Sequence, residues 1–258
     1  FTKRARDYNR NATIIIGNSV AGSIPEIFLK NSSADIAVMG EGEITTAEVV
    51  RKILRGEQNW EKVAGIAFKN KDGKIYINEK RKAVKRLDDF PMINWENFDT
   101  EKYFEKSYAG AHAINDKKVR VMPLVTARGC AFRCTFCHFV FWNDPYRYRS
   151  PENILLELKR NLVDYNCNYI TFWDDLSFAS LPQAERFADA ILASGLKFNW
   201  NAAVRVDLFG NPKHSRERRL AVAKKFKNAG CLDLGFSLES ANKEILEMMN
   251  KRIEAEYF

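Results

Sequence analysis

No stretch of this 258-residue chain comes near the roughly 20 consecutive apolar residues that a membrane-spanning helix needs. That excludes a helical membrane span. No signal peptide is visible, and the chain begins with Phe1 rather than Met, as expected of a piece of a longer protein. Internal repeats of motif strength and low-complexity tracts are absent. Cysteine is scarce, at five residues; the number is odd, and three are too close together in sequence for a disulfide framework. Cys167 and Cys231 fall in or beside expected core elements and read as small buried apolar residues. This usage fits a reducing cytosol, so a cytoplasmic location is expected. The aromatic–basic interleaving of a base-stacking platform is also missing. The net charge of +8 is spread over Lys80–Arg86, Arg147–Arg149 and Arg216–Arg219 as solvated faces, and nucleic-acid binding is disfavoured. At 46% hydrophobic and 29% charged, the chain has the composition of one large or two modest globular domains.

Apolar periodicity divides the chain in three. Thr13–Ile16 reads as a short buried strand, broken at Gly17-Asn18-Ser19. Pro25–Leu29 reads as a helix, with Ser23 as N-cap and Pro25 in the first turn. Asp35–Met39 is a second strand, Gly40-Glu41-Gly42-Glu43 a tight loop, and Thr45–Leu54 a helix with Ala47, Val50 and Ile53–Leu54 on its apolar face. That order implies parallel strands, and glycine loops at their C-terminal ends are where such sheets bind nucleotide-like groups. Residues 57–118 read as a connector. In it, Asn70–Gly73 turns a hairpin, and Leu87–Tyr103 forms an extended linker with Pro91, Trp95 and Phe98 as docking points.

From residue 119 the pattern is regular. Strands are expected at Val121–Val125, Tyr169–Trp173, Phe198–Val204 and Leu232–Leu238. Helices follow at Ser150-Pro151-Glu152 onward, with Ile154, Leu155, Leu158, Leu162 and Val163 as the buried stripe, at Pro182–Ser194, at Glu217–Ala229 and near Asn242. Four β-α units of roughly 30 residues, each with a right-handed crossover, argue for an α/β barrel or a doubly wound sheet. Polar residues gather where each strand ends: a cysteine loop, Asp174-Asp175, Arg205 with Asp207, and Glu239-Ser240. In a βα barrel these ends meet on one face.

The cysteine loop is Cys130-Ala131-Phe132-Arg133-Cys134-Thr135-Phe136-Cys137. Thiolate-held iron–sulfur clusters normally use four ligands, one per iron, so three thiols leave one iron open. Structural zinc wants four ligands, and only His138 is near, beside Cys137 and poorly placed to close a tetrahedron.

The CxxxCxxC spacing, with an aromatic residue before the third Cys, resembles the radical S-adenosylmethionine (SAM) family. So do Tyr148-Arg149-Ser150-Pro151-Glu152, Gly235-Phe236-Ser237-Leu238-Glu239-Ser240 and Met249-Asn250-Lys251. The resemblance implies that Cys130, Cys134 and Cys137 hold a 4Fe–4S cluster whose open iron chelates SAM, with Phe136 against the adenine. It places Asp174 or Asp175 near the methionine amino group or the substrate. Arg205 pairs with the SAM carboxylate, a task suited to its fork, or is oriented by Asp207. Glu239 accepts from the ribose or the methionine part.

Residues 1–56 resemble the C-terminal part of the Rossmann-like cobalamin-binding domain that precedes many of these enzymes, with Asp35, Val38 and Gly40-Glu41-Gly42-Glu43 matching and Asn18 and Val20 departing. By that resemblance Gly17, Ser19, Gly40, Glu41, Gly42 and Glu43 contact cobalamin. The expected fold is a partial cobalamin-binding domain (1–56), hairpin and linker (57–118), and about four of the six β-α units of a radical SAM barrel (119–258). The implied activity is reductive SAM cleavage to a 5′-deoxyadenosyl radical for cobalamin-dependent methylation of an unactivated carbon. Oxidative cyclisation, rearrangement, tRNA thiomethylation and a non-enzymatic metal-binding scaffold are the alternatives. Implied partners are a small-molecule or natural-product substrate and an electron donor such as flavodoxin or ferredoxin.

Overall fold

The structure is a computed structural model and describes residues 1–106, 119–137 and 144–257. Two compact units result, one of Phe1–Val84 and one of Lys85–Cys137 with Asp144–Phe258.

The first unit runs α1 (Thr2–Tyr8), β1 (Ile15–Ile16), α2 (Ser19–Ser23), α3 (Pro25–Lys30), β2 (Ile36–Val38), α4 (Gly42–Leu54), β3 (Ile66–Lys69) and β4 (Ile75–Ile77). Its sheet has the order β1-β2-β3-β4. β1 and β2 are parallel, as expected, and the other pairings are antiparallel. Alternation along the strands splits the core between two faces. Ile36, Val38, Ile66 and Phe68 pack with Val49 of α4, whereas Ala37 and Ala67 pack with Leu29 of α3.

The hairpin read as a connector is built into this sheet, because β3 pairs directly with β2. Its turn is held by the Asn70 carboxamide oxygen, which accepts from the N–H groups of Asp72 and Lys74. Three local expectations are corrected. Asn18, not Ser23, is a cap: its side chain accepts from the N–H groups of Val20 and Ala21 and starts α2, while the Ser23 hydroxyl donates back to the Ser19 carbonyl. α4 begins at Gly42 instead of Thr45, which puts Gly42 and Glu43 in its first turn. Its buried stripe is Thr45 and Val49 with half-buried Ile53, and Leu54 is 80% exposed. A buried threonine is tolerable there because its hydroxyl accepts from Arg81 Nε at 2.8 Å.

In the second unit, Leu87–Asp89 and Trp95–Asn97 form short 3₁₀ turns before α5 (Thr100–Glu105). The docking side chains of this linker are Leu87 and Phe104, both buried, with Trp95 half-buried; Pro91 and Phe98 are exposed. There follow β5 (Val121–Leu124), β6 (Ala127–Arg128), β7 (Arg147–Tyr148), α6 (Pro151–Asp164), β8 (Tyr169–Phe172), α7 (Leu181–Ser194), β9 (Asn199–Val204), α8 (Asp207–Gly210), α9 (Arg216–Asn228), β10 (Cys231–Phe236) and α10 (Lys243–Met248). Four parallel strands line up in the order β10-β9-β8-β5. Among the described residues the sheet does not close into a barrel.

Met122, Leu124, Ile170, Phe172, Trp200, Ala202 and Val204 face the helices. Trp200 is stacked on Phe172, ring centroids 5.1 Å apart, and its indole N–H donates to the Ala229 carbonyl. The opposite face carries the register row Pro123, Thr171, Asn201 and Asp233. Serine hydroxyls cap α6, α7 and α9 at Ser150, Ser180 and Ser215. On α6, Ile154 and Leu158 are buried with Glu157 and Asn161, whereas Val163, expected inside, is exposed. That face is not purely apolar, because Arg149 pairs with Glu157 there.

Candidate active site

The four strands of the second unit's larger sheet point the same way, so the loops after β5, β8, β9 and β10 share one edge. β6 pairs antiparallel with β7, Ala127 opposite Tyr148 and Arg128 opposite Arg147. Gly129 then turns the chain with φ +74°, and a Cβ there would lie 2.9 Å from the Pro145 carbonyl oxygen. Only glycine suits that combination. The cysteine loop begins at the next residue.

Cys134 is buried, Cys130 half-buried and Cys137 exposed, and none is in a disulfide. Burial pushes the Cys130 thiol up; the Phe132 N–H draws it back, neighbouring Cys134 and Cys137 push it further up, and Arg205 opposes. Among the described residues no three His, Cys, Asp or Glu side chains gather closely enough for a single metal ion. The donor set, three thiols on one loop, has the softness that iron–sulfur clusters take, and it fits such a group.

The loop is pinned from α10 and the turn after it. The Thr135 N–H donates to the Met249 carbonyl at 2.9 Å, and Asn250 Nδ2 donates to the Arg133 carbonyl at 2.7 Å. Arg205 leaves β9 with its guanidinium 3.5 Å from the Phe132 ring centroid. Both Asp207 oxygens hold it, at 3.1 and 3.2 Å, and Nη2 also donates to the Lys251 carbonyl at 2.7 Å. Nη1 makes no hydrogen bond among the described residues, which leaves a donor for an anion. Beside it lies a cavity of about 290 Å³, lined by Phe132, Arg205, Asp207, Leu208, Lys213 and His214 among others.

The other expected residues divide. Asp174 is buried and committed to the backbone: Oδ1 accepts from the N–H groups of Thr126 and Ala127 at 2.7 and 3.0 Å, and Oδ2 bonds the Thr126 hydroxyl. Burial raises its carboxyl above the usual range, and the bonds from Thr126 and Ala127 oppose that. Asp174 therefore fixes the approach to the cysteine loop, and Asp175 is the exposed member of the pair. Glu239 follows β10 with φ +68° and accepts from Lys251 Nζ at 2.9 Å. Phe136 is half-exposed, with that same ammonium 5.3 Å from its ring centroid.

In the first unit, the loops after parallel β1 and β2 bring Gly17 and Ser19 to the same sheet edge as Gly40, Glu41, Gly42 and Glu43. A Cβ on Gly22 would sit 3.4 Å from Gly40 N and from the Val38 carbonyl, so α2 runs close against the second loop. Thr126, Phe132, Gly22 and Lys251 were not singled out as site residues from sequence. Lys251 stood in the quoted Met249-Asn250-Lys251 run, and a lysine next to Arg252 gives no burial signal of its own.

Asp174→Ala is expected to lower stability by at least about 1–3 kcal/mol, because it strands the buried N–H groups of Thr126 and Ala127 that now donate to Oδ1. The measurement is a thermal melt alongside iron content after anaerobic reconstitution. An unchanged melt with full iron would show that the bonds to Thr126 and Ala127 do not hold the loop.

The model of the Radical SAM superfamily matches residues 124–258. An uncharacterized methyltransferase of Pyrococcus horikoshii is 28% identical over 256 residues, covering 97% of this chain and 50% of its own. The cytidylyl-2-hydroxyethylphosphonate methyltransferase of Streptomyces wedmorensis is 28% identical over 207 residues, 72% of this chain and 38% of its own. The anaerobic magnesium-protoporphyrin IX monomethyl ester cyclase of Rubrivivax gelatinosus is 24% identical over 98% of this chain and 43% of its own. The chain thus spans about half, or less, of the length of the curated relatives it matches. Among solved structures, the cobalamin-dependent SAM radical enzyme OxsB, with aqua-cobalamin and SAM bound, superposes with a TM-score of 0.77 at 21% identity, over 99% of this chain and 35% of that one. That likeness confirms the mixed α/β fold expected from the sequence. With the three-cysteine loop at the shared strand edge and the superfamily model spanning more than half of its residues, this chain belongs to the radical SAM superfamily.

Proposed function

We propose that the full-length protein is a cobalamin-dependent radical SAM methyltransferase acting on an unactivated carbon of a small molecule. The observation that carries the radical chemistry is the loop of Cys130, Cys134 and Cys137, set where four parallel strands end and ringed by Arg205, Glu239 and Phe136. The methyltransferase reading rests on the two methyltransferase-named relatives and on the glycine loops of the first unit.

Cys130, Cys134 and Cys137 would hold a 4Fe–4S cluster, which with bound SAM supplies a 5′-deoxyadenosyl radical. Arg205, already oriented by Asp207, offers Nη1 to the SAM carboxylate as a charge-assisted donor. Glu239 offers an oxygen to the ribose or the methionine amino group, Phe136 offers its ring to the adenine, and Asp174 or Asp175 would lie near the amino group or the substrate. Gly17, Ser19 and residues 40–43 would hold a cobalamin as source of the methyl group. The protein's part is to bind, orient and exclude water. On this reading residues 1–56 are the end of a cobalamin-binding domain, 57–118 hairpin and linker, and 119–258 part of the radical SAM domain. A flavodoxin- or ferredoxin-type electron donor and a cytoplasmic location complete the proposal.

The test is anaerobic incubation of the reduced full-length protein with SAM. The expected result is co-purifying cobalamin that turns to methylcobalamin with release of S-adenosylhomocysteine, together with 5′-deoxyadenosine. Formation of 5′-deoxyadenosine with no S-adenosylhomocysteine overturns methylation in favour of cyclisation or rearrangement. Absence of both products overturns the radical SAM assignment of activity.

A further inference from the structure

Lys251 is only 5% exposed. Lysines are almost never buried without a partner, and this one meets three of the groups assigned above to SAM. Its ammonium donates to Glu239 Oε1 at 2.9 Å. The same ammonium lies 5.3 Å from the centroid of Phe136, the residue before Cys137, within cation–π range. Its carbonyl accepts from Arg205 Nη2 at 2.7 Å. The backbone is bent to bring this about. Asn250 and Arg252, on either side, have φ of +48° and +54°, and Glu239 has +68°. Non-glycine residues seldom adopt that region, and clustering of such conformations is a mark of functional sites. Asn250 also anchors the cysteine loop through the Arg133 carbonyl.

We infer that Lys251 is a positioning residue for SAM: it holds one oxygen of Glu239 and the ring of Phe136 so that the other oxygen and the ring face the nucleotide. Glu239 Oε2 makes no hydrogen bond among the described residues, so the ion pair fixes the carboxylate without using it up. The inference rests on SAM occupying this site, and it adds a residue that touches none of SAM's reacting atoms.

The experiment measures SAM binding by equilibrium dialysis to the full-length, cluster-reconstituted, unreduced protein, with iron content and the melt recorded in parallel. K251M is expected to bind SAM roughly 10–100-fold more weakly, the usual cost of losing a residue that supports a ligand-contacting group. K251R is expected to restore most of the affinity. The double variant K251M/E239Q is expected to bind no worse than K251M alone, because the two side chains act as one unit. SAM affinity of K251M within about twofold of wild type, or losses that simply add in the double variant, overturns the inference. Should K251M fail to fold, K251Q takes its place: it keeps a donor and lacks the charge, and wild-type affinity there has the same meaning. A wild-type protein that binds no SAM refutes the site assignment instead, and the two failures are distinguishable.

Discussion

Full-length protein carrying Cys134→Ala keeps its fold and loses its iron. Cys134 is the buried thiol of the three, but the loop around it does not depend on the sulfur for its path. Backbone bonds from Thr135 to Met249 and from Cys137 to Cys134 remain, as does the Asn250 contact to Arg133. What disappears is one of three iron ligands, and two thiols cannot anchor a cluster that normally uses four. The expected fall in 5′-deoxyadenosine formation is more than about 100-fold, beyond the loss of a supporting residue. Cys231→Ala is the control. Burial pushes the Cys231 thiol up to about 12, so it stays protonated and makes a poor ligand. Iron content near wild type in Cys134→Ala, or iron loss in Cys231→Ala, would sink the ligand assignment.

Glu157→Ala is the largest expected change in stability. Glu157 and Arg149 have side chains only 6% and 10% exposed, paired through Oε2 and Nη1. Arg149 also donates to the Asn153 side chain and to the Val125 carbonyl. Deleting the carboxylate strands a buried guanidinium, which costs about 3–5 kcal/mol. For a unit of this size that is a drop of roughly 6–20 °C in melting temperature. Arg149→Met with Glu157→Leu is expected to recover most of it, since a buried pair replaced whole by apolar groups is close to neutral. A shift of less than about 2 °C in Glu157→Ala would mean that water already reaches Arg149. Because Val125 directly precedes the Thr126 held by Asp174, the single variant should also lose iron.

Where a residue's part is set by local chemistry, the sequence was enough to read it. Cysteine spacing located the site, Ser150-Pro151 marked the start of α6, and Gly195 its counterpart at the end of α7, with φ +69°. What escaped was set by partners distant in the chain. Asp174 at a strand end looks available to a ligand until Thr126, 48 residues away, is seen to claim it. Val163 looked like part of an apolar stripe, but Arg149 and Glu157 turn the helix so that a charged pair lies inside. Leu54 continued the apolar pattern of α4, yet lies a step beyond the sheet it was expected to cover. The hairpin was recognised, but nothing in its own residues says that β3 will pair with β2.

β10 has a neighbour on one side only among the described residues, and Leu232 and Phe236 on it are 43% and 44% exposed. A row of unanswered N–H and C=O groups flanked by apolar side chains is a template for another strand. Solutions of this chain by itself should therefore scatter more light as they are concentrated, and charged substitutions at Leu232 or Phe236 should keep them clear.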